Sequence, residues 1–110
     1  MVIWHLTPDV PRVPRFVSAG QHVNLQFGTW PIEGGQRTWI DYQVLHQDGR
    51  VYTGQVECTW NFNRETNSYW FLNVGPFADG DRVEYRLRGS SPAGSCDGET
   101  FSFLVGPKIH

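Results

Sequence analysis

No run in this 110-residue chain approaches the ~18 apolar residues of a membrane-spanning helix, so no helical span is expected. A basic surplus is missing as well. Net charge is −2 with a pI near 6.0, leaving no field to gather phosphates, and nucleic-acid binding is not expected. Cysteine is scarce: Cys58 and Cys96 permit one bridge and require none, and neither has a CxxC partner to suggest a metal or redox motif. Cys58 falls in the apolar phase of a strand, where a buried free thiol is expected. The N-terminal stretch "MVIWHLTPDVPRVPRF" has three prolines and lacks the basic leader and apolar core of a signal peptide. The chain as it stands is therefore expected in the cytoplasm, or outside the cell if it is a module excised from a longer precursor.

Catalytic signatures are equally sparse. There is no G-x-S-x-G elbow, phosphate-binding glycine loop or HExxH, and His5, His22, His46 and His110 show no zinc-ligand spacing. Paired carboxylates such as Asp41 and Glu57 would need a cleft to act on a glycosidic bond, and a small β-domain offers little of one. Asp79 and Asp81 flank Gly80 without the further oxygen ligands that calcium demands, which makes this stretch a turn. No enzyme activity, metal or other cofactor is indicated.

What is present is aromatic and alternating. Hydrophobic residues make up 39% and charged residues 18%, which suits a globular domain, and the aromatic share is 15% with 5 Trp. Apolar residues recur with period two, and turn residues recur about every ten positions, the pattern of an antiparallel β-sandwich. Seven strands are expected, over residues 2–6, 21–29, 38–46, 51–62, 68–74, 82–89 and 100–106, all in one domain spanning 1–110. Residues 1–19 form its N-terminal strand and a proline-rich arm that neither pairs nor coils. Asp48-Gly49 predicts a type I′ hairpin turn. Trp70, Leu72, Val83 and Tyr85 are expected as central core on a hairpin running from 68 to 89, and Tyr52, Val56, Cys58, Trp60 and Phe62 as one apolar phase. Arg82, Arg86 and Arg88 with Glu84 form a solvated, partly paired strand face.

The stretch "WFLNVGPFADGDRVEYRLRG", with Gly80-Asp81, Val83 and Tyr85 followed by a strand over 100–105, resembles the immunoglobulin-like modules that precede catalytic barrels in α-amylase-type glycoside hydrolases. "VNLQFGTWP" and "WIDYQVLHQDGRVYTG" suit the first strands of such a module. The resemblance implies an immunoglobulin-like sandwich associated with carbohydrate, in a family where many members only pack against a catalytic domain.

Glycan recognition needs aromatic faces outside the core, with polar groups beside them to fix hydroxyls. Trp39 is the clearest, sharing its strand face with Asp41 and Gln43. Tyr69 and Phe71 fall out of phase with Trp70 and Leu72, with Asn73 continuing their face, and Trp30 sits in the loop "GTWPIEGG". These seven residues are the expected contacts for a polysaccharide or oligosaccharide of α-glucan type. The alternative is an assembly sandwich, in which the same aromatics meet a glycoside hydrolase or a second copy of the chain.

Overall fold

The computed structural model describes residues 1–109; His110 lies outside the described residues. Its strands are β1 (Val2–Trp4), β2 (Arg12–Val13), β3 (Val17–Ser18), β4 (Val23–Trp30), β5 (Arg37–Leu45), β6 (Val51–Glu57), β7 (Thr59–Arg64), β8 (Asn67–Val74), β9 (Arg82–Ser91) and β10 (Gly94–Gly106). They form two sheets. The first runs β1-β4-β8-β7, with β2 also pairing with β4, and the second runs β3-β10-β9-β5-β6.

Period-two alternation builds the core between them. Val23, Leu25 and Phe27 of β4 and Trp70, Leu72 and Val74 of β8 meet Ile40, Val44, Val83, Tyr85, Leu87, Phe103 and Val105 of the second sheet. Fully burying one such side chain is worth about 1.5–3 kcal/mol before entropy is counted. The all-β sandwich expected from the sequence is the fold found.

Ten strands replace seven for two reasons. The proline-rich arm does pair: Arg12–Val13 lies antiparallel to β4, and Val17–Ser18 lies parallel to the end of β10, which also breaks the expected all-antiparallel pattern. The expected strand over 51–62 divides at Cys58, where the chain leaves the second sheet for the first. There the Cys58 amide donates to the Thr38 carbonyl at 2.8 Å, and the side chain is buried as a free thiol with its pKa pushed up to about 12 by desolvation. Cys96 is free as well.

Four local expectations change with this topology. Strands β8 and β9 belong to different sheets, so 75–81 is a crossover and not a hairpin turn. The gap left between the expected strands over 82–89 and 100–106 is largely strand, the tip of the long β9–β10 hairpin with an irregularity between Asp97 and Thr100. The hairpin at Asp48-Gly49 exists, but only Gly49 has a positive φ, 88°; the loop closes through His46 and Arg50, and Asp48 Oδ1 accepts from the Arg50 amide at 3.0 Å. A bulge between Trp60 and Phe62 pairs Trp60 with Trp70 but Phe62 with Tyr69, so one ring of the expected apolar phase crosses to the other face.

The arm is anchored by His5, which is buried beneath it. Its Nδ1 donates to the Gln26 carbonyl at 2.6 Å, which fixes the proton there and leaves Nε2 to accept from the Tyr85 hydroxyl at 2.7 Å. Arg12 in turn donates to that hydroxyl at 3.0 Å. Burial lowers the pKa of His5 from 6.5 to about 4.

Candidate functional site

The structure divides the seven expected contact residues between opposite outer faces of the sandwich. Trp39, Asp41 and Gln43 alternate outward on β5, in the second sheet. Tyr69, Phe71 and Asn73 alternate outward on β8, in the first sheet, and Trp30 ends β4 on that same sheet, half exposed and paired with Val2. The two groups cannot touch one ligand.

On the first sheet, Tyr69 is buried rather than stranded outside. The reason is the arm, which folds over that face: Trp4 meets the Tyr69 ring edge-on at 6.4 Å, and the Tyr69 hydroxyl donates to Asp9 Oδ2 at 3.1 Å. Gly28 makes room for this cover, since a Cβ there would overlap the Trp4 indole. Phe62, brought across by the bulge, stacks on Tyr69 from the other side at 4.9 Å. Phe71 is half-buried, and the exposed Asn73 accepts from Asn24 Nδ2 at 3.0 Å.

The outer face of the second sheet is open. Trp39 is half-buried there, with the Arg88 guanidinium 6.0 Å from its ring centroid. Arg88 is held from two sides, by Asp41 Oδ2 at 2.9 Å and Asp97 Oδ1 at 2.7 Å, while Gln55 Nε2 donates to Asp41 Oδ1 at 2.9 Å. Beyond lies a shallow groove of about 460 Å³ walled by Asp41, Gln43, Thr53, Glu84, Arg86 and Thr100. Asp41 and Glu57 share this face, yet each carboxylate is engaged by an arginine; Arg37 Nε reaches Glu57 at 2.9 Å and holds its pKa below the usual range. An indole beside fixed donors and acceptors suits a neutral polyhydroxy ligand better than proton transfer.

A second concave region was not foreseen. Tyr42, Val44, His46 and Tyr52 line a cleft of about 420 Å³ with Gly75, Pro76, Phe77, Ala78 and Asp81 of the crossover. The Asp79–Asp81 stretch is a turn here: the Ala78 amide donates to Asp81 Oδ2 at 3.0 Å, and His46 Nδ1 donates to Asp81 Oδ1 at 2.8 Å. By phase alone Tyr52 belongs to the core. Gly54 was the available signal, because a glycine inside a strand marks a close approach, and here a Cβ would sit 2.7 Å from the Tyr42 ring.

Residues 6–70 match the family described as Lmo2446-like, N-terminal. The chain belongs to this family. Over 79 residues, 72% of its length, this Lmo2446-like N-terminal domain is 37% identical to an isomaltosyltransferase of Sporosarcina globispora, covering 7% of that protein. It also superposes on the cycloalternan-forming enzyme of Listeria monocytogenes, solved with a pentasaccharide substrate, at TM-score 0.82 and 30% identity, over 96% of this chain and 10% of that one. The protein lmo2446 of Listeria monocytogenes, solved with glucose, magnesium and calcium, superposes equally, at TM-score 0.82 and 30% identity over 96% of this chain and 10% of that one. The cycloalternan-degrading enzyme of Trueperella pyogenes, at 13% identity and TM-score 0.68 over 93% of this chain and 17% of that one, shares the fold alone. The Lmo2446-like domain thus spans a tenth or less of the first two enzymes. The resemblance pointed to an N-terminal module of α-amylase-type glycoside hydrolases and stood mainly on the stretch after residue 70; the family match, over residues 6–70, is to an N-terminal domain shared with glucan-processing enzymes.

Proposed function

We propose that this domain is a non-catalytic N-terminal module of a glucan-processing enzyme and that the outer face of its second sheet holds an α-glucan chain. Trp39 supplies the stacking surface, Asp41 and Gln43 the hydroxyl contacts, and Arg88 fixes both the indole and Asp41. One observation carries this reading: a half-exposed indole set within an ordered guanidinium, carboxylate and carboxamide network beside an open polar groove. Family membership supports the ligand class, since its relatives include an isomaltosyltransferase and an enzyme solved with a pentasaccharide substrate. Trp30, Tyr69, Phe71 and Asn73 have no part in this site, because they lie across the sandwich.

Affinity electrophoresis of the 110-residue chain through gels containing soluble α-glucans tests the proposal. Retardation is expected for the parent chain and for Trp30→Ala, and clearly weaker retardation for Trp39→Ala. Equal mobility of the parent and Trp39→Ala in every gel would overturn it.

A further inference from the structure

The cleft at the other end of β5 and β6 is built as a site in its own right. Tyr52 occupies an inward-pointing position, opposite Val44, yet is 55% exposed. The space before it is walled by the 75–81 crossover rather than by a strand of the first sheet, so its ring stands at an opening. Tyr42 lies 5.9 Å from Tyr52 between centroids, inclined at 52°, and its ring rests where Gly54 leaves no side chain. Burial and the adjacent Tyr52 hydroxyl hold the Tyr42 phenol above its ordinary pKa, so it stays a neutral donor and acceptor. Phe77 and Pro76 complete the apolar wall.

The polar end is equally ordered. Asp81 is 4% exposed at its side chain, with one oxygen taken by the Ala78 amide and the other by His46 Nδ1. That contact orients the imidazole, and its Nε2 makes no hydrogen bond among the described residues. No lysine or arginine lines the cleft, which argues against phosphate or carboxylate ligands. A space of about 420 Å³ lies within the roughly 300–1,000 Å³ of small-molecule sites.

We propose that this cleft is a second carbohydrate site, taking a glucosyl unit against Tyr52 and Tyr42 with a sugar hydroxyl on His46, independently of Trp39. The ligand class rests on the glucan reading above; the cleft itself does not. A proline-rich peptide is the competing occupant of a tyrosine-lined groove.

Amide chemical-shift titration of the full chain with maltotriose, isomaltotriose and a proline-rich peptide separates these. Saturable shifts at His46, Tyr52, Gly54 and Ala78 with either sugar are expected. They should persist in Trp39→Ala, and weaken at least tenfold in affinity in Tyr52→Ala and in His46→Ala, with the amides of Phe27 and Leu87 unmoved to show an intact core. Sugar shifts confined to the Trp39 face would overturn this site alone, as would cleft shifts that Tyr52→Ala leaves unchanged or that only the peptide produces. Cleft shifts without any response around Trp39 would overturn the preceding proposal and uphold this one; silence everywhere would overturn both.

Discussion

Tyr69 and Tyr52 have exchanged the environments that their strand positions suggest. Tyr69 points away from the core on β8 and is 7% exposed, whereas Tyr52 points inward on β6 and is 55% exposed. Alternation decides which side of a sheet a ring leaves from; what it meets there comes from elsewhere in the chain. For Tyr69 the answer is Trp4 and Asp9, some 60 residues earlier, together with Phe62 delivered by a bulge. Tyr52 leans on Tyr42 and otherwise faces the crossover across an open cleft.

The sharpest way to break this contrast is to truncate both rings. Tyr69→Ala removes a packed side chain and its bond to Asp9, and should cost about 3 kcal/mol in urea unfolding. Tyr52→Ala should change stability by no more than about 0.5 kcal/mol, as at ordinary surface positions. Comparable losses for both variants would show that the cleft is structural packing and not a vacant site.

Acid should loosen the cover of Tyr69. The folded-state pKa of His5, about 4, lies below its ordinary 6.5, so folding favours the neutral ring. Its contribution is therefore complete above pH 6.5 and lost as pH falls toward 4, by about 3 kcal/mol in total. Carboxylates such as Asp9, whose pKa is lowered chiefly by the Thr7 hydroxyl, add losses at still lower pH. The readout is therefore the slope of stability between pH 6.5 and 4 in the parent, and its flattening in His5→Gln. Equal slopes would remove His5 as the arm's anchor.

Gly54→Ala probes the other side of the contrast. The added methyl must displace the Tyr42 ring, a small overpacking expected to cost about 1–3 kcal/mol and to narrow the cleft. Near-UV circular dichroism should report the moved tyrosine, while the signals of the buried tryptophan Trp70 stay constant.

The two-layer fold was legible because Val23, Leu25, Phe27, Val83, Tyr85 and Leu87 alternate without interruption. Sheet membership was not. A strand that changes sheets at Cys58 keeps its alternation on both sides of the change, so 51–62 looks continuous until the pairing of β7 with β8 reveals the crossing. The bulge beside Phe62 is invisible for the same reason, since one extra residue alters register but not composition. Of the expected site, Trp39, Asp41 and Gln43 form one outward row, whereas Tyr69 was covered by an arm whose prolines suggested no pairing. The cleft escaped notice because Tyr52 satisfies the core pattern and His46 lies 35 residues from the aspartate that orients it.

On the open face, too, a small change in stability separates structure from recognition. Asp41→Asn weakens the contact with Arg88, whose charge keeps Asp97 as a partner. Both Asp41 and Arg88 are more than one-third exposed, so the pair is screened by solvent and its loss should cost less than about 1 kcal/mol, less still in high salt. Its effect on the indole should be larger than on the fold, because a less constrained guanidinium no longer holds the position of Trp39. Gel retardation by α-glucan should therefore weaken severalfold at nearly unchanged urea midpoint. Unaltered retardation would reduce the arginine–aspartate network to surface charge, leaving Trp39 to bind without it.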